Sequence, residues 1–171
     1  MRPRARVALA GLSAVLALAA GCGAGRRIEH GVFHSPKGYR VTLPGPGWAV
    51  VESSRADLEL RHGNAAAGML VNASCEGGAG RRSPETLGRL LLLGLRDRRV
   101  LERGTATVAG RPAARAVVEA RPREGGAPVR IETLTFVDAG CVVDLAFAAP
   151  AGTFAELRGD FERFAASVVR E

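Results

Sequence analysis

The chain has 171 residues, 47 % of them hydrophobic, with 24 basic against 17 acidic side chains and a formal net charge of +7. That length suits one ordinary domain, large enough to bury about two-thirds of its unfolded surface without a metal staple. The arginines are scattered among acids, as in Arg96-Asp97 and Glu119-Ala120-Arg121, and no basic block with interleaved aromatics is present, which argues against a nucleic-acid reader.

The N-terminus divides into three parts. Arg2, Arg4 and Arg6 make a positive start, and Val7 to Ala20 is an uncharged run of mostly Ala, Leu and Val. The run is shorter than the roughly 20 residues a membrane-spanning helix needs, and it has the length of the apolar region of a secretory signal. It closes on L-A-L-A-A-G-C, residues 16–22, which resembles the lipobox of bacterial lipoproteins, with small Ala20 and Gly21 ahead of the Cys22 thiol. Ala19 stands where that family most often has Leu, and Leu18 sits one place early. The resemblance implies diacylglycerol on the Cys22 sulfur and cleavage before it, so palmitate-type acylation would fix the chain to a membrane of the cell envelope. The alternatives are an ordinary signal cleaved after Ala17-Leu18-Ala19 and an uncleaved anchor. Gly23 follows the cysteine; by the sorting pattern of some Gram-negative lipoproteins, the lack of Asp there favours the outer membrane, on its periplasmic side.

With residues 1–21 taken as the signal peptide, the remaining chain carries +4, and Lys37 is its single lysine. Gly23 to Lys37 is polar and lacks sustained periodicity, so it reads as a leash, with residues 22–32 as lipidated Cys and tether and one domain over 33–171. Tyr39 to Leu43 alternates as a strand and stops at Pro44; Gly45-Pro46-Gly47 is a turn, and Trp48 to about Val51 is the next strand. Asp57 to Arg61 is a short strand with Leu58 and Leu60 on one face, and Met69, Val71, Ala73 and Cys75 share the face of another. Ser83 is a good N-cap with Pro84 at the first helical position, and Leu87, Leu90, Leu91 and Leu95 then fall on one helix face, widened by Leu92 and Leu93 into the pattern of a well-buried helix. Val100 to Ala109 and Ala113 to Arg121 are strands around Gly110-Arg111-Pro112. Val129 to Val137 and Cys141 to Phe147 are strands around Asp138-Ala139-Gly140. Thr153 and Glu156 have capping-box spacing for a closing helix whose stripe is Phe154, Leu157, Phe161, Phe164, Ala165 and Val168.

About eight strands and two amphipathic helices predict an α+β domain, a curved and mostly antiparallel sheet with both helices packed on it. The segment G-Y-R-V-T-L-P-G-P-G-W, residues 38–48, is similar to the opening of the PsbP-like fold, as in DcrB-type and LpqN-type bacterial lipoproteins. The mid-chain helix, V-A-G-R-P-A at 108–113 and F-x-x-F at 161–164 follow in the same order, so the resemblance spans about residues 32–170. It implies a fold shared by accessory, binding and assembly factors, and no particular reaction.

Candidate sites are few. If Cys22 carries lipid, Cys75 and Cys141 remain as an even pair in an oxidising compartment, either bonded or as buried free thiols. The segment E-G-G-A-G-R-R-S, 76–83, joins a strand to a helix where an anion could meet Arg81 and Arg82, but it lacks the G-K-[ST] ending and Pro84 removes a donor; the alternative is a surface turn. His30 and His34 have H-x-x-x-H spacing without a third ligand nearby, His62 is isolated, and Ser53, Ser54, Ser74 and Asp144 have no histidine in a partner motif. Asn72-Ala73-Ser74 matches a glycosylation acceptor but falls within a strand, and Trp48 and Tyr39 read as sheet-packing aromatics. The expectation is a non-enzymatic envelope lipoprotein without a cofactor, metal or nucleic acid. It binds the membrane through Cys22 and meets a protein partner. A small-molecule or anion-binding module is the alternative, and a hydrolase assembled from distant residues is the third.

Overall fold

In the computed structural model, residues 27–123 and 125–171 are described; the expected signal segment and Cys22 lie outside them. Eleven strands and two α-helices are present among these residues. The small sheet has the order β1-β2-β3-β11, from Arg27–Glu29, Val32–Ser35, Tyr39–Thr42 and Val169–Arg170. The large sheet has the order β4-β5-β6-β10-β9-β8-β7, from Trp48–Val50 (β4), Leu58–His62 (β5), Gly68–Ser74 (β6), Leu95–Val108 (β7), Arg111–Pro122 (β8), Val129–Asp138 (β9) and Cys141–Pro150 (β10). Every pairing is antiparallel, which is the α+β class expected.

Helix α2, Ala151–Ala166, buries Phe154, Phe161, Phe164 and Ala165, and Val168 just beyond it is buried as well. They meet Phe33, Tyr39 and Val41 of the small sheet and Leu58, Leu60, Met69, Val71, Leu145 and Phe147 of the large one in a single cluster. Phe147 is its hub, with ring centroids 5.1 Å from Phe154, 5.6 Å from Phe161 and 6.4 Å from Trp48. The small sheet and α2 therefore cover one face of the large sheet. On its other face Leu92 caps a smaller cluster with Val118 and Ile131, next to the short helix α1, Pro84–Leu90.

Polar struts tie the layers. Asp57 accepts Lys37 Nζ at 2.6 Å, Tyr39 Oη at 2.8 Å and the Ala73 amide at 2.8 Å, so one carboxylate joins β3 to β6. Burial and the Asp57 charge both push the Tyr39 phenol well above its ordinary range, so it stays a hydrogen-bond donor. Trp48 Nε1 donates to Asp160 at 2.8 Å and locks β4 onto α2. Glu132, 2 % exposed, sits between Arg115 at 2.5 Å and Arg158 at 2.9 Å, and Arg115 reaches on to Glu102 at 2.8 Å.

Several expectations need correction. Part of the expected tether is folded: Arg27 to Ser35 folds back as the β1–β2 hairpin with Ile28 opposite Phe33. Its turn is His30-Gly31, both at positive φ, the geometry a tight two-residue hairpin demands. The same turn, Ala109-Gly110 and Ala139-Gly140, closes the other two long hairpins, so Arg111 and Pro112 belong to β8. The leucine-rich helix ends at Leu90 and buries none of its residues. Successive turns carry the chain from Leu91 to Gly94; Leu92 points inward, and Leu95 is the first residue of β7 rather than part of a helical stripe. The Thr153–Glu156 capping box is absent: β10 runs straight into α2 at Pro150, and Thr153 Oγ1 donates to the Pro150 carbonyl from within the first turn.

Candidate functional site

Three features stand out, two of them carrying residues singled out by the sequence. The first is the pair Cys75 and Cys141. Strands β6 and β10 are neighbours with Ser74 opposite Val142, so the next step in register sets Cys75 opposite Cys141. Their Cα atoms are 4.1 Å apart and the sulfurs are bonded at 2.18 Å. Cys141 is buried and Cys75 is exposed, so the bond closes the end of the central strand pair and is reachable from solvent on one side.

The second is the 76–83 segment. Gly77 and Gly78 take positive φ, a single 3-10 turn spans Ala79–Arg81, and Gly80 lies so close to the Gly140 carbonyl that a Cβ there would meet it at 2.8 Å. Ser83 caps α1 as expected, its Oγ accepting from the Thr86 amide at 3.3 Å. Arg81 and Arg82 are both exposed on this turn. The histidines do not converge. His30 is in a hairpin turn, His34 faces Glu171 at 2.8 Å, and His62 lies edge-on to Trp48 at 5.1 Å. Among the described residues no group of three His, Cys, Asp or Glu side chains is arranged to hold a metal.

The third feature is one the sequence did not mark. A groove of about 470 Å³ runs between α1 and strands β7 to β9. Small residues make it: Gly88 on the helix, Gly104 on β7, and Ala114 and Ala116 on β8, with Thr105 and Thr133 as polar groups. Leu92 closes one end and Arg89, Arg103 and Glu85 stand at its rim. Gly88 is the close contact of the helix on the sheet, since a Cβ there would meet Thr135 Oγ1 at 3.1 Å. Thr135 in turn donates to Asp144 at 2.7 Å, and burial pushes that carboxyl above its ordinary value. The volume is in the range of small-ligand clefts, and three arginines, Arg89, Arg103 and Arg115, line it against one acid, Glu85. Its signal in the sequence was the spacing of small residues on facing strands, which one strand at a time does not reveal.

This element order can be compared with known structures. No family model and no curated protein matches the chain. The solution structure of cyanobacterial PsbP (CyanoP) from Synechocystis sp. PCC 6803 superposes with a TM-score of 0.58, covering 91 % of this chain and 99 % of its own at 14 % identity. The fold is PsbP-like. LpqN of Mycobacterium tuberculosis, described as involved in cell envelope biogenesis, shares this PsbP-like arrangement with a TM-score of 0.55 over 80 % of this chain and 86 % of its own at 17 % identity. A Pseudomonas aeruginosa protein of unknown function gives 0.53 over 72 % and 81 % at 10 % identity. At these identities the similarity establishes the PsbP-like fold and carries no activity. Among the described residues no helix is long and apolar enough to cross a membrane.

Proposed function

We propose that the chain is an envelope lipoprotein, processed after Gly21 and anchored through acylated Cys22, whose PsbP-like domain acts by binding rather than by catalysis. The observation that carries this reading is the Cys75–Cys141 bond. It supports an exported, oxidised domain, and of the three cysteines in the sequence it leaves Cys22, at the end of a lipobox-like segment, outside the pair. Two acyl chains make attachment stable, since each buried CH₂ contributes about 0.8 kcal/mol. Four residues, 23–26, separate Cys22 from Arg27, where β1 begins, so an anchor at Cys22 would hold the domain close to the membrane surface. The lack of Asp after Cys22 supports the periplasmic side of an outer membrane. LpqN, a structure of the same fold, is tied by its description to envelope biogenesis, which supports an envelope role.

The accessory, partner-binding reading is supported by an open groove with arginines along its lining. A small anionic ligand in that groove is the second reading, favoured by Arg89 and Arg103. Metabolic labelling with a palmitate analogue tests the anchor. Label in the wild-type chain and none in Cys22→Ser is the expected result; equal label in both removes the lipoprotein reading. Crosslinking from positions 103 and 105 in intact cells tests the groove: a single specific adduct supports a protein partner, and a ligand-induced rise in melting temperature with no adduct supports the second reading.

A further inference from the structure

The net charge and the exposed apolar surface of this domain coincide. Residues 81–103 hold seven arginines against Glu85, Asp97 and Glu102, a net of +4. The rest of the chain from Cys22 onward holds fourteen basic and fourteen acidic side chains, so this one segment carries all of the net positive charge. It also carries four of the six exposed large hydrophobic residues found among the described residues: Leu90, Leu91, Leu93 and Val100, with Leu93 the most exposed at 58 %. The other two, Ile28 and Val169, belong to the small sheet.

The geometry explains how the leucines stay outside. Leu92 is 6 % exposed and is packed onto Val118 and Ile131, which holds the turn down while its neighbours project. Arg98 Nη1 donates to the Leu92 carbonyl at 3.2 Å, so the start of β7 is bound to the leucine turn. Several of the cations around it lack carboxylate partners: among the described residues Arg96, Arg98 and Arg103 form no ion pair, and Glu102 is drawn away to Arg115. Projecting leucines among uncompensated arginines match the two layers of an anionic bilayer surface, acyl chains under negative headgroups.

We propose that the leucine turn and the start of β7 dock the domain onto anionic lipid, with Leu90, Leu91 and Leu93 entering the headgroup region and Arg96 and Arg98 engaging phosphates. The proposal rests on the tethered reading for the membrane it meets. Docking would turn the leash into a second, orientation-fixing contact.

The test uses the full chain carrying Leu93→Trp, added to vesicles of phosphatidylcholine alone or with about three parts in ten phosphatidylglycerol. The native Trp48 is buried and held by Asp160, so it supplies a constant background. Expected on the anionic vesicles are a blue shift of the indole introduced at position 93 and quenching by brominated acyl chains; neither occurs on phosphatidylcholine. Adding Arg96→Glu, a side chain with no structural contact to the turn, weakens the partition at least about fivefold. Val100→Trp reports independently should the first variant fold poorly. No quenching on either vesicle, or equal quenching on both, overturns the proposal, as does an emission shift with soluble polyglutamate but not with vesicles. Palmitate labelling of Cys22 in the same charge-reversed chain reads the tether alone, so failure of the anchor and failure of the face are told apart.

Discussion

Breaking the Cys75–Cys141 bond is the perturbation with the most calculable outcome. The bond spans 66 residues of sequence. Releasing a loop of that length returns conformational entropy to the unfolded chain worth about 4 kcal/mol at 25 °C. A domain of this size loses about 2–4 °C of melting temperature per kcal/mol, so reduction should lower the midpoint by about 10 °C. The folded state should change little, because strands β6 and β10 remain paired from Ser74–Val142 to Gly68–Ala148 without the bond. Scanning calorimetry with and without reductant, alongside Cys75→Ser/Cys141→Ala, measures this, and thiol labelling of the denatured, unreduced protein confirms the starting state. A midpoint that moves by less than about 2 °C refutes the loop-entropy reasoning. Two free thiols on labelling refute the bond itself and with it the support it lends to export.

Glu132→Gln leaves Arg115 and Arg158 facing an uncharged group inside the fold, and urea titration should show a loss of about 3 kcal/mol, with a near-neutral result showing that the network is solvated. Asp160→Ala strands the buried Trp48 N–H and should cost about 1–2 kcal/mol in the same titration, whereas Asp160→Asn, which keeps an acceptor, should cost less. Asp144 has a pKa raised by burial, so the folded state holds its proton more tightly than the unfolded chain, and stability falls as pH rises through that raised value. Asp144→Asn should therefore melt higher than wild type at neutral pH and converge with it in acid; a lower midpoint at neutral pH contradicts the assignment. Gly88→Leu should lift α1 off Thr135 and raise amide exchange in residues 84–92 while β6 and β10 stay protected; unchanged exchange there removes the glycine as the seat of the helix.

The strands and α2 were legible wherever one face is buried and one is wet. Leu58 and Leu60, Met69, Val71 and Ala73, and the phenylalanines of α2 fell inward as their period required. Hairpin positions are legible too, but the sequence points to Gly110-Arg111-Pro112 where the turn is Ala109-Gly110, because Ala109 takes a positive φ that its identity does not advertise. The β1–β2 hairpin was hidden for a different reason. Its strands are three and four residues long, β1 is fully exposed, and only Phe33 and Ser35 are buried, so no alternation long enough to register exists. The groove was invisible because its walls are Gly88, Gly104, Ala114 and Ala116, which matter by what they leave unfilled once three strands and a helix are brought together.

The segment 84–103 is where local pattern and tertiary structure disagree, and the disagreement has content. Leu87 to Leu95 has the spacing of a buried helix, yet the chain leaves the helix at Leu90 and exposes three leucines. The β7 edge that follows is interrupted by two register shifts, between Arg96 and Arg99 and between Val100 and Glu102. Bulges and arginines on an edge strand discourage pairing with another sheet, so this edge is protected against strand addition while its side chains remain available. A sequence that specified burial alone would have extended the helix and hidden the leucines. Departures of this kind concentrate at functional surfaces, because a surface kept for binding forgoes the stability its own burial would contribute. The disulfide and the Phe147-centred core supply stability elsewhere in the fold, which leaves the α1–β7 face free to keep its leucines and arginines exposed.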